Sequence, residues 1–414
     1  LLSAAGGSGV SGTAGPGRSY GPPLTVDLRG TPGSVSWRPV DIQPDTEPDA
    51  EALPCVVLAD RAGCAEFAVL QDALHHLGVP SVRVDAETIA SLRLSATVSA
   101  GDANGDANGV AGGVAGGVAG GVAGGTTGGG MCGVLDLDGR RIAPTVVWAR
   151  HFSPRAMPAT ADAVETLLRA ESWHALVRQL CSLAPASLPG NRPGRLEQLA
   201  GAARAGVRVP RTVVTTSPAE AAAAMDGPRV VVKVVEEHFV ETEPGLLTGV
   251  LPEVAAREEV LRRPALDYPV IVQEYVEHDA ELRVYHVAGA LHAYAVGKRS
   301  PDSPWREEGE VTVTPVAVPP AAADAVRRLA GLWGMTYGAF DLLLRKDEVV
   351  FLEVNADGDW RWFEAKAGGH AVSTAAALAT RTLHLAALGN AVPPPPLDLV
   401  DFLLLGARTA GSVR

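Results

Sequence analysis

The chain has 414 residues, enough for two or three domains, and 47% of them are hydrophobic, so a large core can be buried. The formal net charge is −12 and the 35 Lys and Arg are scattered, which excludes a general nucleic-acid binder, because phosphate contacts need clustered cations. Cys55, Cys64, Cys132 and Cys181 lie far apart, which excludes a paired metal spacing or a disulfide framework and points to a reducing cytoplasm.

No basic start followed by an apolar stretch opens the chain, so no signal peptide is expected, and no run of about 18 apolar residues exists to span a membrane. Residues 1–50 are rich in Gly and Pro and are predicted to be a largely disordered segment. From residue 54, "PCVVLAD", helical spacing over 65–77, a Gly78-Val79-Pro80 break and an alternating "SVRVDA" predict strand, helix, strand. This opens an α/β domain over 51–190. The pair His75-His76 reads as favourable charge at a helix end rather than a metal site. A Gly/Ala/Val repeat at about 95–131 has the period of neither a Ca²⁺-binding array nor collagen, and reads as an inserted linker. Asp138-Gly139 predicts a hairpin, 145–149 an apolar strand, and 160–182 an amphipathic helix.

A second domain is predicted over 191–390. It opens with a helix at 194–205 closed by Gly206 and Pro210. Strands follow at 229–236 and 270–277, then a hairpin over 281–300 about Ala288-Gly289 and a helix at 320–333. The stretch "AFDLLLRKDEVVFLEV" predicts another hairpin, and 371–388 a helix. The Pro393–Pro396 run marks a Pro-rich tail over 391–414. The order implies two α+β lobes behind the α/β domain.

The chemistry concentrates in "FLEVNADGDWRWFE" (351–364). Side chains alternate along a strand, so Glu353 and Asn355 share a face. A three-residue loop at Lys346–Glu348 places Asp341 opposite Glu353. Two semi-buried carboxylates repel unless one is protonated or a cation binds. Hard oxygen donors without His or Cys suit Mg²⁺, which usually shares its ligands with substrate phosphates. Set against this, Asp341 as a turn cap and Glu353 at a solvated strand end is the structural alternative. Lys233 interrupts the apolar "VVVKVV", where a bare ammonium costs several kcal/mol and a phosphate would pair it; an edge lysine that snorkels is the other reading. In "QEYVEHDAE", Glu274 and Val276 end a strand able to pair with a purine edge, and Glu281 lies within reach of a ribose. Neither a P-loop nor a dinucleotide glycine fingerprint is present.

Lys233, Gln273-Glu274-Tyr275-Val276, Glu281-Leu282-Arg283, Phe340-Asp341 and Leu352-Glu353-Val354-Asn355, in that order, resemble the ATP-grasp fold. The "LEVNADGDWRWFE" stretch resembles the signature of the ATP-grasp ribosomal peptide maturases, the graspetide ligases, and "VVWARHFSP" and the 188–218 segment support it. The likeness runs loosely from 54 and tightly over 340–364. It implies a pre-ATP-grasp-like α/β domain followed by a two-lobed ATP-grasp domain, with ATP and Mg²⁺ as cofactors. Lys233 and Arg195 would hold ATP phosphates. Gln273, Glu274, Tyr275 and Val276 would meet the adenine, and Glu281 the ribose. Asp341, Glu353 and Asn355 would hold Mg²⁺. Arg283, Arg299 and Arg306 would serve the phosphates or an acyl phosphate.

Three positions depart from the pattern. Arg195 stands where many ATP-grasp enzymes carry a lysine; it keeps the charge and can fork onto phosphate. No glycine-rich lid follows Lys233, and Pro304 replaces the Asp of an Asp-Trp-Arg stretch at Trp305-Arg306. The activity implied is ligation of peptide Asp or Glu side chains, through acyl phosphates, to Ser/Thr hydroxyls or Lys amines of a leader-bearing precursor peptide. The implied setting is cytoplasmic, without nucleic acid or membrane; such maturases often pair, so a homodimer is one candidate assembly and the oligomeric state stays open. The alternatives are a ligase resembling glutathione synthetase or the ribosomal-protein glutamate ligases, and a degenerate ATP-grasp protein that binds nucleotide without turnover.

Overall fold

The structure is a computed structural model. It describes residues 24–27, 36–38, 52–98, 133–236, 238–299, 311–346 and 348–389. Nearly all of the Gly/Ala/Val repeat, the stretch carrying Trp305 and Arg306, and the Pro-rich tail lie outside the described residues.

Strands Leu53–Asp60 and Ser81–Asp85 pair in parallel through helix Ala65–His76, as the sequence pattern predicts. Strand Arg140–Ala149 pairs in parallel on the other side of Leu53–Asp60 and forms a hairpin with Gly133–Leu137. Its turn, Asp138-Gly139, has φ of 53° and 79°, the left-handed pair a two-residue hairpin turn requires. All five residues of Ser81–Asp85 are buried, so its alternation does not mark a solvent face. The reason is that parallel strands are covered on both sides. Helix Ala65–His76 and the C-terminal helix Ala371–Ala387 cover one face, and helix Ala163–Leu183 covers the other. The expected disorder of 1–50 fails at two short strands. Leu24–Asp27 pairs with Leu246–Gly249, and Ser36–Arg38 with Ser81–Asp85. Both borrow their backbone partners from strands already formed, which local composition does not signal.

The rest of the described chain builds two larger antiparallel sheets and a three-stranded one, Leu24–Asp27, Leu246–Gly249, Phe239–Glu243. The first has the order Glu253–Ala256, Arg229–Val234, Val270–Glu274, Thr212–Thr215. Helices Pro218–Ala223 and Arg257–Val260 pack on it. The second has the order Val311–Val316, Ala290–Lys298, Ala280–Val287, Tyr337–Arg345, Glu348–Asn355. Helices Arg195–Arg204 and Pro320–Trp333 cover one face of it, and Trp333 packs on Phe340 and Phe351 there. Its other face meets the N-terminal sheet and the C-terminal helix through Tyr285, Tyr337 and Trp360. A hairpin absent from the sequence reading, Phe239–Glu243 with Leu246–Gly249, follows Lys233.

Candidate active site

Asp341 and Glu353 stand opposite each other across strands Tyr337–Arg345 and Glu348–Asn355. The pairing matches the sequence reading but arises differently. Glu348 pairs with Arg345, so the connecting loop is one residue shorter than the predicted three. That alone would move Asp341 out of line with Glu353. A bulge at Leu352, where the register shifts between Asp341 and Leu342, restores the alignment. Asn355 follows on the same strand, and its Oδ1 accepts from the Asp357 amide at 3.0 Å.

Each carboxylate is met by cations. Arg283, the cross-strand neighbour of Asp341, donates from Nη1 to both of its carboxylate oxygens, at 2.9 and 2.7 Å. Lys233 Nζ lies 3.0 Å from Glu353 Oε2, Arg195 Nε 3.4 Å from the same atom, and His238 Nε2 4.0 Å from Oε1. Lys233 is 4% exposed, so the snorkelling reading is overturned: its ammonium is buried and paired. Burial alone would raise the Glu353 carboxyl, but Lys233, Arg195 and His238 overcome it and hold the group well below the usual carboxylate range. Burial pushes the Asp341 carboxyl above its ordinary value, Arg283 pulls against this, and the Glu353 charge adds to it. The neighbouring negative charge is the repulsion that a shared cation would relieve.

Among the described residues no group of three or more His, Cys, Asp and Glu is arranged to hold a metal ion. The set here is two carboxylates and an amide, hard oxygens of the kind Mg²⁺ takes in small number while keeping waters and phosphate oxygens. Arg283 Nε and His238 Nδ1, beside the two carboxylates, are buried without a hydrogen-bond partner among the described residues. The donor chemistry therefore fits Mg²⁺ with a polyanion beside it.

These residues line one cavity of about 1700 Å³. Arg195, Lys233, Gln273, Glu274, Tyr275, Val276, Glu281, Arg283, Asp341, Glu353 and Asn355 all reach it. Two of them are also held in place structurally. Gln273 donates to Thr212 Oγ1 at 2.8 Å, and Glu274 accepts from the Arg211 amide at 3.0 Å. Glu281 is gripped by Lys298 at 2.8 Å and by His278 at 3.3 Å. Burial would raise the Glu281 carboxyl, yet His278 and Lys298 hold it below its ordinary value.

Arg299 does not line the cavity; Lys298 does. Lys298 lies two residues beyond Val296, the cross-strand partner of Glu281, so it shares the face of Glu281 while Arg299 falls on the other. Arg306 lies outside the described residues. Gln198 completes strand Glu348–Asn355 by accepting from the Val354 amide at 2.9 Å and donating to its carbonyl at 3.0 Å.

Two features escaped the sequence. The hairpin after Lys233 is fastened to the N-terminal domain by Glu241. It accepts from Arg61 at 2.8 and 3.1 Å, Ser153 Oγ at 2.9 Å and the Gly245 amide at 2.7 Å. The loop after Asn355 is fastened to the same domain by Arg150, which donates to the Asp357 carbonyl at 2.9 Å and to Asp359 Oδ1 at 2.6 Å. The tryptophans divide. Trp360 is 1% exposed among Trp148 and Tyr337, with Arg150 over its ring at 4.6 Å, whereas Trp362 reaches the cavity. Glu364 is structural, accepting from the Ser373 amide at 2.8 Å.

No family model and no curated protein matches the chain. Solved structures do. The macrocyclase MdnC of Microcystis aeruginosa MRC, bound with precursor peptide MdnA, aligns at TM-score 0.58 and 18% identity, over 78% of this chain and 98% of that one. A Chryseobacterium gregarium RiPP-associated ATP-grasp ligase, in complex with ADP and a leader and core peptide, aligns at TM-score 0.57 and 19% identity, over 78% and 96%. The ATP-grasp ligase PsnB, complexed with a phosphomimetic variant of minimal precursor, Mg and ADP, aligns at TM-score 0.54 and 18% identity, over 80% and 98%. The chain has the ATP-grasp fold.

Proposed function

We propose that the protein is an ADP-forming ATP-grasp ligase that crosslinks a ribosomally made precursor peptide through its own side chains. The observation that carries this is the convergence of Asp341, Glu353, Asn355, Lys233 and Arg195 in one cleft, on the fold of enzymes solved with precursor peptides, ADP and Mg. The cavity of about 1700 Å³ exceeds the roughly 300–1,000 Å³ of ordinary small-molecule sites. That favours a peptide over the free amino acid of a glutathione-synthetase-like reaction.

In this reading Lys233 and Arg195 meet the ATP phosphates. Gln273 to Val276 line the adenine end, and Glu281, braced by Lys298, meets the ribose. Asp341, Glu353 and Asn355 would hold Mg²⁺, whose contribution is to neutralise phosphate charge. Arg283 and, beyond the described residues, Arg306 serve the transferring phosphoryl group. A substrate Asp or Glu carboxylate takes the γ-phosphoryl group, becoming an acyl phosphate and releasing ADP. A Ser/Thr hydroxyl or Lys amine of the same peptide then displaces phosphate. Water must be kept out, or the acyl phosphate hydrolyses; the hairpin clamped by Glu241 and Arg61 covers that need. The sheet of 53–149 would be the pre-ATP-grasp-like domain. Among the described residues no helix is long and apolar enough to cross a membrane. We place the enzyme in the cytoplasm, acting on a leader-bearing peptide, with a homodimer as its assembly.

The test is mass spectrometry of an acidic, Thr/Ser- and Lys-containing peptide, encoded beside the gene, after incubation with enzyme, ATP and Mg²⁺. One water lost per ring is expected. ATP consumption with no change in peptide mass would leave an uncoupled nucleotide-binding protein, and ligation of free amino acids the small-molecule alternative.

A further inference from the structure

Acyl transfer to a hydroxyl needs a base, and the cleft holds one braced for the task. His151 follows strand Arg140–Ala149 with φ of 42°, in the left-handed region that His tolerates better than most residues. Its Nε2 lies 3.0 Å from Asp359 Oδ1, and that carboxylate is itself fixed by Arg150 at 2.6 Å. Arg150 Nη2 also lies 3.5 Å from Nε2; in the tautomer that donates Nε2–H to Asp359, Nδ1 is the basic nitrogen. The side chain keeps 13% exposure and lines the cavity that holds Glu353 and Asn355. Asp357 Oδ2 stands 4.0 Å from Nδ1, and its other oxygen is held by Arg192 at 2.7 Å. An imidazolium formed here therefore sits between two anchored carboxylates.

Of the three other histidines that line the cavity, His174 stands on helix Ala163–Leu183 and two are already engaged. His238 Nε2 takes a hydrogen bond from Arg195 at 3.2 Å, and His278 and Glu281 hold each other at the far end. Burial, helped by Arg150 and Arg192 and opposed by Asp357, holds the His151 imidazole well below its ordinary range, so at neutral pH it is unprotonated.

We infer that His151 is the general base of the ring-closing half-reaction, oriented by Asp359. The inference rests on the ligase reading above. In the step, the substrate hydroxyl oxygen bonds to the acyl carbon while its proton passes to His151 Nδ1. The bond from that carbon to the phosphate oxygen then breaks, phosphate leaves with the electron pair, and the imidazolium returns its proton to the leaving phosphate.

The test separates the two halves of the reaction in the full-length enzyme. Hydroxylamine, which needs no base, traps the acyl phosphate as a hydroxamate; mass spectrometry reads ring formation. For His151→Asn, hydroxamate formation within threefold of wild type is expected, with ring formation slowed roughly 10²–10⁴-fold. Unchanged ring formation, or parallel loss of both products in a folded variant, overturns the inference. Should His151→Asn fail to fold, His151→Gln decides in the same assays, by a split or a parallel loss. A wild-type enzyme giving neither hydroxamate nor rings sinks the ligase reading, and this inference with it; failure of the split alone sinks only the base.

Discussion

Replacing Glu353 with Gln removes one negative charge from a cluster that also holds Lys233, at 4% exposure, and Arg195, at 8%. Removing one partner of a buried ion pair costs about 3–5 kcal/mol, because the other charge stays buried. Glu353 keeps 20% exposure, and the amide oxygen of Gln still accepts from Lys233, so about 1.5–3 kcal/mol is expected. At about 2–4 °C per kcal/mol for a domain of this size, the midpoint should fall roughly 3–12 °C. The pH dependence has a definite sign. The folded carboxyl lies below its ordinary value of 4.5, so its stabilisation is complete above that pH and is lost as pH falls through the lower, folded value. The gap between wild type and Glu353→Gln should be full at neutral pH and close progressively below about pH 4.5. Thermal scans across pH read this directly, and ATP turnover, expected to drop at least about 100-fold, is measured beside them. A variant with wild-type melting at neutral pH and wild-type turnover would refute both the charge cluster and the metal role.

Lys233→Ala should raise the KM for ATP about 10–150-fold, the worth of a charged hydrogen bond of about 1.5–3 kcal/mol; an unchanged KM removes its phosphate contact. Glu241→Gln should loosen the hairpin after Lys233, since Glu241 and Arg61 are each 2% exposed and a broken buried pair costs about 3 kcal/mol. Faster proteolytic nicking within 239–249 and more ATP hydrolysed per ring are the expected readings, and unaltered cleavage counts against the clamp. Gly358→Ala should impair the site from behind. Its methyl would lie 2.3 Å from Ala339 Cβ and 3.2 Å from the Arg283 guanidinium, a clash worth about 1–3 kcal/mol. Denaturant midpoint and turnover should both fall, and a neutral outcome would show the loop free to move.

The convergence of the candidate site residues was legible because strand alternation and hairpin pairing are local. Asp341, Glu353 and Asn355 follow from a period of two and a short connection. The bulge at Leu352 was not legible, because a loop one residue shorter and an extra strand residue cancel in the pairing. Lys298 was not singled out for the converse reason: its place beside Glu281 comes from cross-strand register, which the local pattern does not reveal. The hairpin after Lys233 was hidden because its sequence, "FVETEPGLLTG", carries little apolar pattern. What fixes it is distant, namely Arg61 and strand Leu24–Asp27. Contacts across such separations leave no mark in a window of a dozen residues.

The same long-range contacts decide what the N-terminal sheet is for. The change of sheet near residue 190 looks like a domain boundary, yet the core does not divide there. Trp148 of the first sheet packs against Tyr337 and Trp360, and helix Ala371–Ala387 lies on that sheet. Arg150, fully buried, turns Nη2 to the loop that leaves strand Glu348–Asn355, bonding the Asp357 carbonyl and Asp359, while its Nη1 lies 3.8 Å from Asp60 of its own sheet. Arg192 holds the Asp357 side chain, and the Asp357 backbone N–H in turn donates to Asn355 Oδ1. A buried guanidinium without these partners would cost several kcal/mol, so the sheet and the loop stabilise each other or neither is stable. Asn355 is therefore positioned from two directions: by the strand it ends, and by a chain of charged hydrogen bonds rooted in the first domain. The geometry of the candidate site belongs to both parts of the chain, and the segment before residue 190 is one wall of the cavity.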